Sequence, residues 1–356
     1  NYDSQKPIAL ALYALPNGNT IEQTIGKVTN ADDDWHYNIQ HIGAQTRFLR
    51  EKITDSNLLV AYLETKQKSW PAWKSETTNY ASIVKKLVAY LKSNYPQKEV
   101  TIILTGHSGG GRFVFSFLDA VEEVPDYVGR ICFLDSNYGY EDQYGRQIKD
   151  WLQASEQNYL SVIAYNDSVA LYNGEPIVSA TGGTWYRSKL MKRYLGDYFD
   201  FETFEDSALI RHSALDGRIS IILKKNPERK ILHTVQVERN GFIHTMLTGT
   251  VLENEGYEYY GERVYDELIQ SEELQPENFQ IPLRSWEFRN GDQFMAAIKS
   301  MDFEDREAAI YKEFLIGNLP YFYREFVKID EGFQDIDGNL HTVSYEVMPD
   351  YLAIGC

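Results

Sequence analysis

A serine flanked by glycines lies between two apolar segments in the first third of the chain. Ser108 stands in Gly106-x-Ser108-x-Gly110, directly after Val100–Thr105 and before Arg112–Val121. The first segment is rich in β-branched residues and predicts a strand, and the second predicts an apolar helix. A tight strand-to-helix turn lifts a serine clear of the sheet, beside backbone N–H groups that can hold an oxyanion. The spacing therefore predicts that Ser108 is a nucleophile.

Residues 1–250 resemble the α/β-hydrolase fold, and the sequence Gly106-His107-Ser108-Gly109-Gly110 is similar to the nucleophile elbow of its esterases and lipases. The resemblance implies a catalytic triad in the chain order Ser, then Asp or Glu, then His. It also implies that each member lies on a loop leaving the carboxyl end of a strand. These two conditions direct the search for the acid and the base.

Two aspartates have the placement that the resemblance requires of the acid. Asp167 follows the predicted strand Tyr159–Tyr165, and Asp135 follows the preceding predicted strand, Val128–Leu134. We prefer Asp167, because its strand is the one most often used in the family, and we keep Asp135 as the alternative acid. The aspartate that is not the acid is expected to cap its strand end by accepting hydrogen bonds from nearby backbone N–H groups.

Three histidines follow the serine at plausible distances. His233 falls inside Ile231–Val237, whose pattern predicts the last strand, so we expect a histidine fixed on one sheet face. His212 has no clear strand end before it. His244 follows the predicted last strand, where the family places its base. The resemblance therefore favours His244 as the base that takes the serine proton, with Asp167 orienting it.

Two further groups of residues are candidates for binding. The backbone N–H of Gly109 is expected to supply one oxyanion donor, and the loop after the first strand the other, with Gly18 or Asn19 as the predicted residue. Aromatic residues on two loops at the same sheet edge are candidates for binding a flat ligand such as a sugar or an aryl group. They are Trp70, Trp73, Tyr138 and Tyr140. The alternative is that these rings pack the loops onto the body.

The elements that must position these residues alternate along residues 1–250. Strand-like runs cover 8–15, 57–63, 100–105, 128–134, 159–165 and 231–237, and helix-like segments cover 34–52, 80–91, 112–121, 143–154 and 185–195. Strands this apolar have no solvent-exposed face, which is typical of a parallel sheet covered by helices on both sides. We therefore predict an α/β fold with a mainly parallel central sheet flanked by helices.

The formal net charge of −17 is concentrated in the last third of the chain. Residues 251–356 carry 8 basic and 23 acidic side chains, whereas residues 1–250 carry 27 and 29. This change predicts a catalytic domain over 1–250, an acidic linker over 251–280 and a smaller α+β module over 281–356. The module resembles one on secreted bacterial hydrolases, and there the chain continues beyond the position of Gly355, which favours truncation at Cys356.

Composition excludes several classes of function. The chain lacks the clustered positive charge that binds nucleic acid, and no run of about 18 apolar residues predicts a membrane span. The metal-ligand and phosphate-loop motifs are absent from the sequence, so we predict no metal and no cofactor. The chain begins at Asn1 without a signal peptide; either an export signal was removed or the chain was trimmed. We predict a secreted or periplasmic protein.

Together these observations predict a secreted serine hydrolase that cleaves a carboxylic ester through an acyl-enzyme. The suggested substrate is a small-molecule or glycan ester, such as an acylated glycan or an aryl ester. A peptidase or amidase on the same triad, and a non-catalytic binding module on a hydrolase fold, remain alternatives. The oligomeric state is left open.

Overall fold

The computed structural model describes residue 3, residues 5–95 and residues 99–270, together with the backbone of 333–334, 340–341 and 351–355. Strands and helices alternate along the body. The strands are β1 (Ile8–Ala14), β2 (Asn57–Glu64), β3 (Val100–His107), β4 (Val128–Leu134), β5 (Tyr159–Tyr165), β6 (Leu171–Tyr172), β7 (Glu175–Pro176), β8 (Glu202–Glu205), β9 (Leu209–Ala214), β10 (Ile219–Lys224), β11 (Phe333–Gln334), β12 (Leu340–His341) and β13 (Tyr351–Gly355). The α-helices are α1 (Ile21–Ile25), α2 (Ile42–Lys52), α3 (Trp70–Glu76), α4 (Tyr80–Ser93), α5 (Gly111–Asp119), α6 (Asp142–Ala154), α7 (Thr184–Leu195), α8 (Val235–Glu238) and α9 (Gly241–Leu247).

Eight strands of the body form the central sheet, in the order β2-β1-β3-β4-β5-β10-β9-β8. The strands from β2 to β10 in this order pair in parallel, and β9 and β8 are added antiparallel. The strand β13 pairs antiparallel with β2. Because β1 pairs with β3, Ala14 lies opposite Gly106. The loop after β1 therefore begins next to the serine turn.

Helices cover both faces of the sheet, because successive side chains of each strand point to opposite faces. In β1, Leu10 and Leu12 join the core beneath α3 to α7, whereas Ala11 and Tyr13 join the core beneath α1, α2, α8 and α9. Strands buried on both faces explain the uniformly apolar runs. The predicted mainly parallel α/β architecture is confirmed.

The predicted last strand, Ile231–Val237, is wrong, and this error bears on the site. The strand next to β5 is β10, Ile219–Lys224, whereas Ile231–Val237 forms a turn and the start of α8. The side chain of Val237 packs into the core with α2 and α9, so burial against helices overrides its β-branched propensity. The predicted helix 34–52 is likewise divided into a 3₁₀ turn at Trp35–Asn38 and α2.

The first part of the predicted acidic linker packs onto the body. Tyr257, Tyr259 and Tyr265 are buried in the core beneath α2 and α9, and the hydroxyl of Tyr265 donates to the carbonyl oxygen of Glu238 at 2.5 Å. Residues 251–270 are therefore part of the folded body. The rest of the predicted linker lies outside the described residues, as does the predicted module apart from β11, β12 and β13.

Two short strands of the predicted module pair antiparallel, β11 with β12. The turn-forming sequence Asp337-Gly338-Asn339 between 326–329 and 342–347 predicts a β-hairpin, and the strands that it predicts lie outside the described residues. Within the residues that the structure covers, no helix combines the length and the apolar composition needed to cross a membrane.

Candidate functional site

Ser108 occupies the sharp turn between β3 and α5. Its φ of 55° lies in the left-handed region, which is uncommon for a residue with a side chain. A Cβ atom on Gly106 would lie 2.9 Å from the carbonyl oxygen of Ala14, and one on Gly110 would lie 2.1 Å from the same oxygen. Both positions require glycine because the turn passes directly against β1. The tight turn predicted from the spacing is present.

The Ser108 side of this turn opens into a cavity of about 260 Å³, named here the serine cavity. It is lined by Asn17, Pro71, Ser108, Gly109, Arg112, Ser136, Tyr138 and Gly139. The loops after β1, β2, β3 and β4 therefore meet at this point, at the carboxyl edge of the sheet. Among the lining residues, Arg112 has the charged side chain, and its positive charge favours an anion in the cavity.

The residue of the first loop that reaches the serine cavity is Asn17. A Cβ atom on Gly109 would lie 2.0 Å from Asn17 Oδ1, so the two residues are in direct contact. The predicted donors, Gly18 and Asn19, do not line the cavity. The Gly18 N–H donates to the carbonyl oxygen of Lys68 at 2.8 Å. The loop is the expected one, but the candidate second oxyanion donor in it is the backbone N–H of Asn17.

Tyr138 is the one member of the four aromatic candidates that lines the serine cavity. Trp70 and Trp73 are each 2 % exposed, and their rings pack edge to face at 5.2 Å at the start of α3. Tyr140 is fully buried, and its carbonyl oxygen accepts a hydrogen bond from Arg187 Nη1 at 2.8 Å. These three residues pack loops onto the body, so they are not placed to contact a substrate.

The packing role of Trp70 gives a prediction about stability. Its ring contacts Phe113 at 5.0 Å between centroids, and its Nε1–H donates to the carbonyl oxygen of Leu63 at 3.1 Å. We expect Trp70→Ala to lower the free energy of unfolding by about 3–5 kcal/mol, measured by urea denaturation. The control is Trp35→Ala, since Trp35 is 65 % exposed and its loss should cost less than about 0.5 kcal/mol. Equal stabilities of the two variants would contradict this packing role.

Asp135 and His233 form an acid–base pair beside the serine turn. His233 Nδ1 lies 2.5 Å from Asp135 Oδ2; the aspartate side chain is fully buried, and that of the histidine is 22 % exposed. Asp135 directly precedes Ser136 of the serine cavity. The ring of His233 lies 4.5 Å between centroids from that of His107, the residue before Ser108. The structure thus gathers a serine, a histidine and an aspartate at one edge of the sheet.

The loop that carries His233 is anchored by a buried asparagine. Asn226 follows β10, and its Nδ2 donates to the carbonyl oxygens of Asn166 at 3.1 Å and Lys230 at 2.7 Å. Its Oδ1 accepts the Lys230 N–H at 3.0 Å. Because Asn166 directly follows β5, these bonds tie the loop to the end of a neighbouring strand. The position of His233 is therefore set by the sheet.

His107 supports this arrangement without adding charge to it. Burial, and the neighbouring His233, hold the pKa of His107 well below 6.5. A neutral ring therefore lies against His233.

Asp167, the preferred acid, lies near Asp135 but is bonded to the start of α7. Its Oδ2 accepts the Thr184 N–H at 2.7 Å, and its Oδ1 lies 3.4 Å from the Trp185 nitrogen. The Thr184 hydroxyl lies 3.2 Å from Asp167 Oδ2 and also hydrogen-bonds to Asp135 Oδ1. Accepting backbone N–H bonds is the role expected of the aspartate that is not the acid. Burial and the charge of Asp135 raise the pKa of Asp167 to about 6.

The raised pKa of Asp167 predicts a pH dependence of stability. Its unfolded pKa is about 3.9, so the stabilising proton is present below that pH and is lost as the pH rises through about 6. Asp167→Asn removes this loss and keeps an oxygen that accepts the Thr184 N–H. We expect the stability advantage of the variant over wild type to grow by about 2–3 kcal/mol as the pH rises from about 4 to about 7.5. The measurement is the free energy of unfolding from urea denaturation at each pH. Parallel pH profiles would contradict the pKa assignment.

His244, the predicted base, lies on α9 rather than on a loop. It is 3 % exposed, its Nδ1 lies 3.3 Å from the Tyr257 hydroxyl, and its ring stacks on Tyr259 at 5.0 Å. Burial, together with Arg211 and Arg130, lowers its pKa to about 3. A general base for neutral pH needs a pKa near 7 and contact with the group it deprotonates. The structure therefore does not place His244 where the base was expected.

His233, which the sequence pattern predicts inside a strand, lies instead after β10, the last parallel strand. The signal for it was the short apolar run Ile219–Leu223 followed by the turn-forming Asn226-Pro227, which together mark a strand end before His233. The third candidate, His212, lies on β9 and contacts the Thr203 hydroxyl at 2.8 Å.

Within the part of the chain that the structure describes, no group of three or more His, Cys, Asp or Glu side chains is arranged to hold a metal ion. A scan against models of known protein families finds no match to this chain, and no curated protein matches its sequence.

Proposed function

We propose that this protein is a serine hydrolase that cleaves a carboxylic ester through an acyl-enzyme on Ser108. His233 is the base and Asp135 the acid. The observation that carries the proposal is the 2.5 Å contact between His233 Nδ1 and a fully buried Asp135 carboxylate, at the edge of the sheet where Ser108 sits on a strained turn. A nucleophile, a base and an orienting acid in one cluster are the three parts that acyl transfer requires.

The roles follow from the chemistry of each side chain. With Nδ1–H donating to Asp135, His233 presents an unprotonated Nε2, which takes the Ser108 hydroxyl proton as the oxygen attacks the ester carbonyl. The backbone N–H groups of Gly109 and Asn17 stabilise the oxyanion. When the tetrahedral intermediate collapses, His233 returns the proton to the departing alcohol. Water, deprotonated by the same histidine, then hydrolyses the acyl-enzyme.

Three further observations support the assignment. Asp135 has a φ of 45°, so like Ser108 it is held in the left-handed region, where strain is typical of functional positions. Arg112, a cationic residue, lines the serine cavity, and its positive charge favours a negatively charged oxyanion there. The order Ser108, Asp135, His233 along the chain, with each residue after a parallel strand, is the order implied by the resemblance to α/β-hydrolases.

A burst experiment tests this function. With p-nitrophenyl acetate, we expect rapid release of about one p-nitrophenol per chain as Ser108 is acetylated, followed by slower steady-state turnover. Ser108→Ala is expected to abolish both phases. The matched control is Ser136→Ala, because Ser136 is a second, buried serine of the same cavity and is expected to keep the burst. A burst that survives in Ser108→Ala would contradict the proposal.

A further inference from the structure

A second cavity, of about 550 Å³, opens beside His233. Its lining includes Tyr138, Tyr165, Tyr172, Glu175, Ile231 and His233. Tyr138 also lines the serine cavity, so it stands between the two spaces. The proposed site therefore has two compartments, one lined by Ser108 and Gly109 and a larger one lined by His233.

The walls of the second cavity are aromatic and aliphatic. Tyr165, 1 % exposed, supplies a buried ring, whereas Tyr172 and Ile231 are 66 % and 46 % exposed at its mouth. Large apolar side chains that stay exposed together beside a cavity mark a binding surface. The carboxylate among the lining residues is that of Glu175, which disfavours an anionic ligand.

A tight hairpin holds this surface in place. Tyr172 of β6 pairs with Glu175 of β7 across Asn173-Gly174, whose φ angles are 51° and 84°. Two left-handed residues in succession form the two-residue turn that matches strand twist, and Asn-Gly is its preferred sequence. The hairpin is a preformed wall, so little conformational entropy is lost when a ligand packs against it.

The direction of proton transfer assigns the two compartments. The carbonyl oxygen must lie at the backbone N–H groups of Gly109 and Asn17, which line the serine cavity. The departing oxygen must receive its proton from His233, so the alcohol lies on the His233 side. We infer that the 550 Å³ cavity binds the alcohol part of the ester and is built for an alcohol that carries an aromatic ring. This inference rests on the proposed function and names its substrate class.

An aromatic alcohol fits these walls better than a sugar does. Tyrosine rings offer stacking and edge-to-face contacts, and Ile177, Val178 and Ile231 offer apolar surface. A sugar would bring several hydroxyl groups against these aliphatic side chains, where hydroxyls lose their hydrogen bonds to water without replacement.

The test compares acetate esters, which all form the same acetyl-enzyme and differ in the alcohol alone. We expect kcat/KM for benzyl acetate to exceed that for ethyl acetate by at least about 30-fold and to exceed that for glucose 6-acetate. In the double variant Tyr172→Ala, Ile231→Ala the benzyl-to-ethyl ratio should fall by about 10-fold. Both side chains are largely exposed, so the variant should fold. The control is Phe204→Ala, which removes an exposed ring on β8 and should leave the ratio unchanged.

The outcomes separate this inference from the proposed function. Hydrolysis of all three esters with no preference for benzyl acetate, or a ratio unaltered in the double variant, would overturn the aromatic-alcohol site and leave the hydrolase standing. A preference for glucose 6-acetate would assign the cavity to a sugar instead and would also overturn the inference. Absence of hydrolysis and of any acetyl adduct on Ser108 would overturn both.

Discussion

Replacing His233 by alanine is expected to lower kcat for ester hydrolysis by a factor of about 10⁶, close to the effect of losing the nucleophile itself. Without the imidazole, the Ser108 hydroxyl has no acceptor for its proton, and the departing alcohol has no donor. The side chain is 22 % exposed, so the variant should remain folded. The measurement is kcat for p-nitrophenyl acetate at about pH 8, with circular dichroism to confirm folding.

The matched control is His244→Gln. His244 is packed between tyrosines of the core, and its pKa of about 3 keeps it neutral at the pH of the assay. We expect this variant to keep kcat within about threefold of wild type while its melting temperature falls, since a buried ring is lost. The opposite pattern, with His244→Gln inactive and His233→Ala active, would show that His244 is the base, as the sequence pattern predicts.

Asp135→Asn is expected to lower kcat by about 10⁴-fold. The carboxylate accepts the Nδ1–H of His233 and stabilises the imidazolium that forms during attack. An asparagine amide can donate to Nδ1 instead, which leaves the proton on Nε2 and removes the base. The pH profile of kcat should change with it, whereas a purely structural role would leave the profile of the residual activity in place.

Asp167→Asn is the control for Asp135→Asn, because the two carboxylates are linked through Thr184 and differ in their partners. We expect a change in kcat of less than about 10-fold, since Asp167 accepts hydrogen bonds from α7 and touches no histidine among the described residues. If Asp167→Asn were the more damaging of the two substitutions, the preference for Asp167 as the acid would be right.

The parts of the site that local sequence determines could be predicted. The tight turn at Ser108 could be predicted from Gly106 and Gly110. A side chain at either position would collide with the carbonyl oxygen of Ala14, so the turn requires glycine there. The parallel sheet could be predicted because its strands are too apolar to have a solvent-exposed face. The positions of Asp135 and Asp167 shortly after β4 and β5 could also be predicted, since both strands are clear in the sequence.

The parts of the site that depend on packing between distant elements could not be predicted from the sequence. The choice between Asp135 and Asp167 depends on where α7 packs, because the backbone N–H of Thr184 at its start donates a hydrogen bond to Asp167. The choice of histidine depended on which segment was the last strand, and Ile231–Val237 has strand-like residues but folds into a turn and helix. For the tryptophans a signal existed: Ser69 caps α3 by accepting the Ala72 N–H at 3.3 Å, with Pro71 in the first turn.

The most direct test of the central claim is to treat the folded wild-type protein with a fluorophosphonate at about pH 8 and to map the adduct by peptide mass spectrometry. The account predicts one phosphonyl group per chain, on Ser108. Labelling should be lost in Ser108→Ala, strongly slowed in His233→Ala and nearly unaffected in His244→Gln. No adduct on folded protein, or an adduct on Ser136 instead, would contradict the claim that Ser108 is a nucleophile activated by His233 and Asp135.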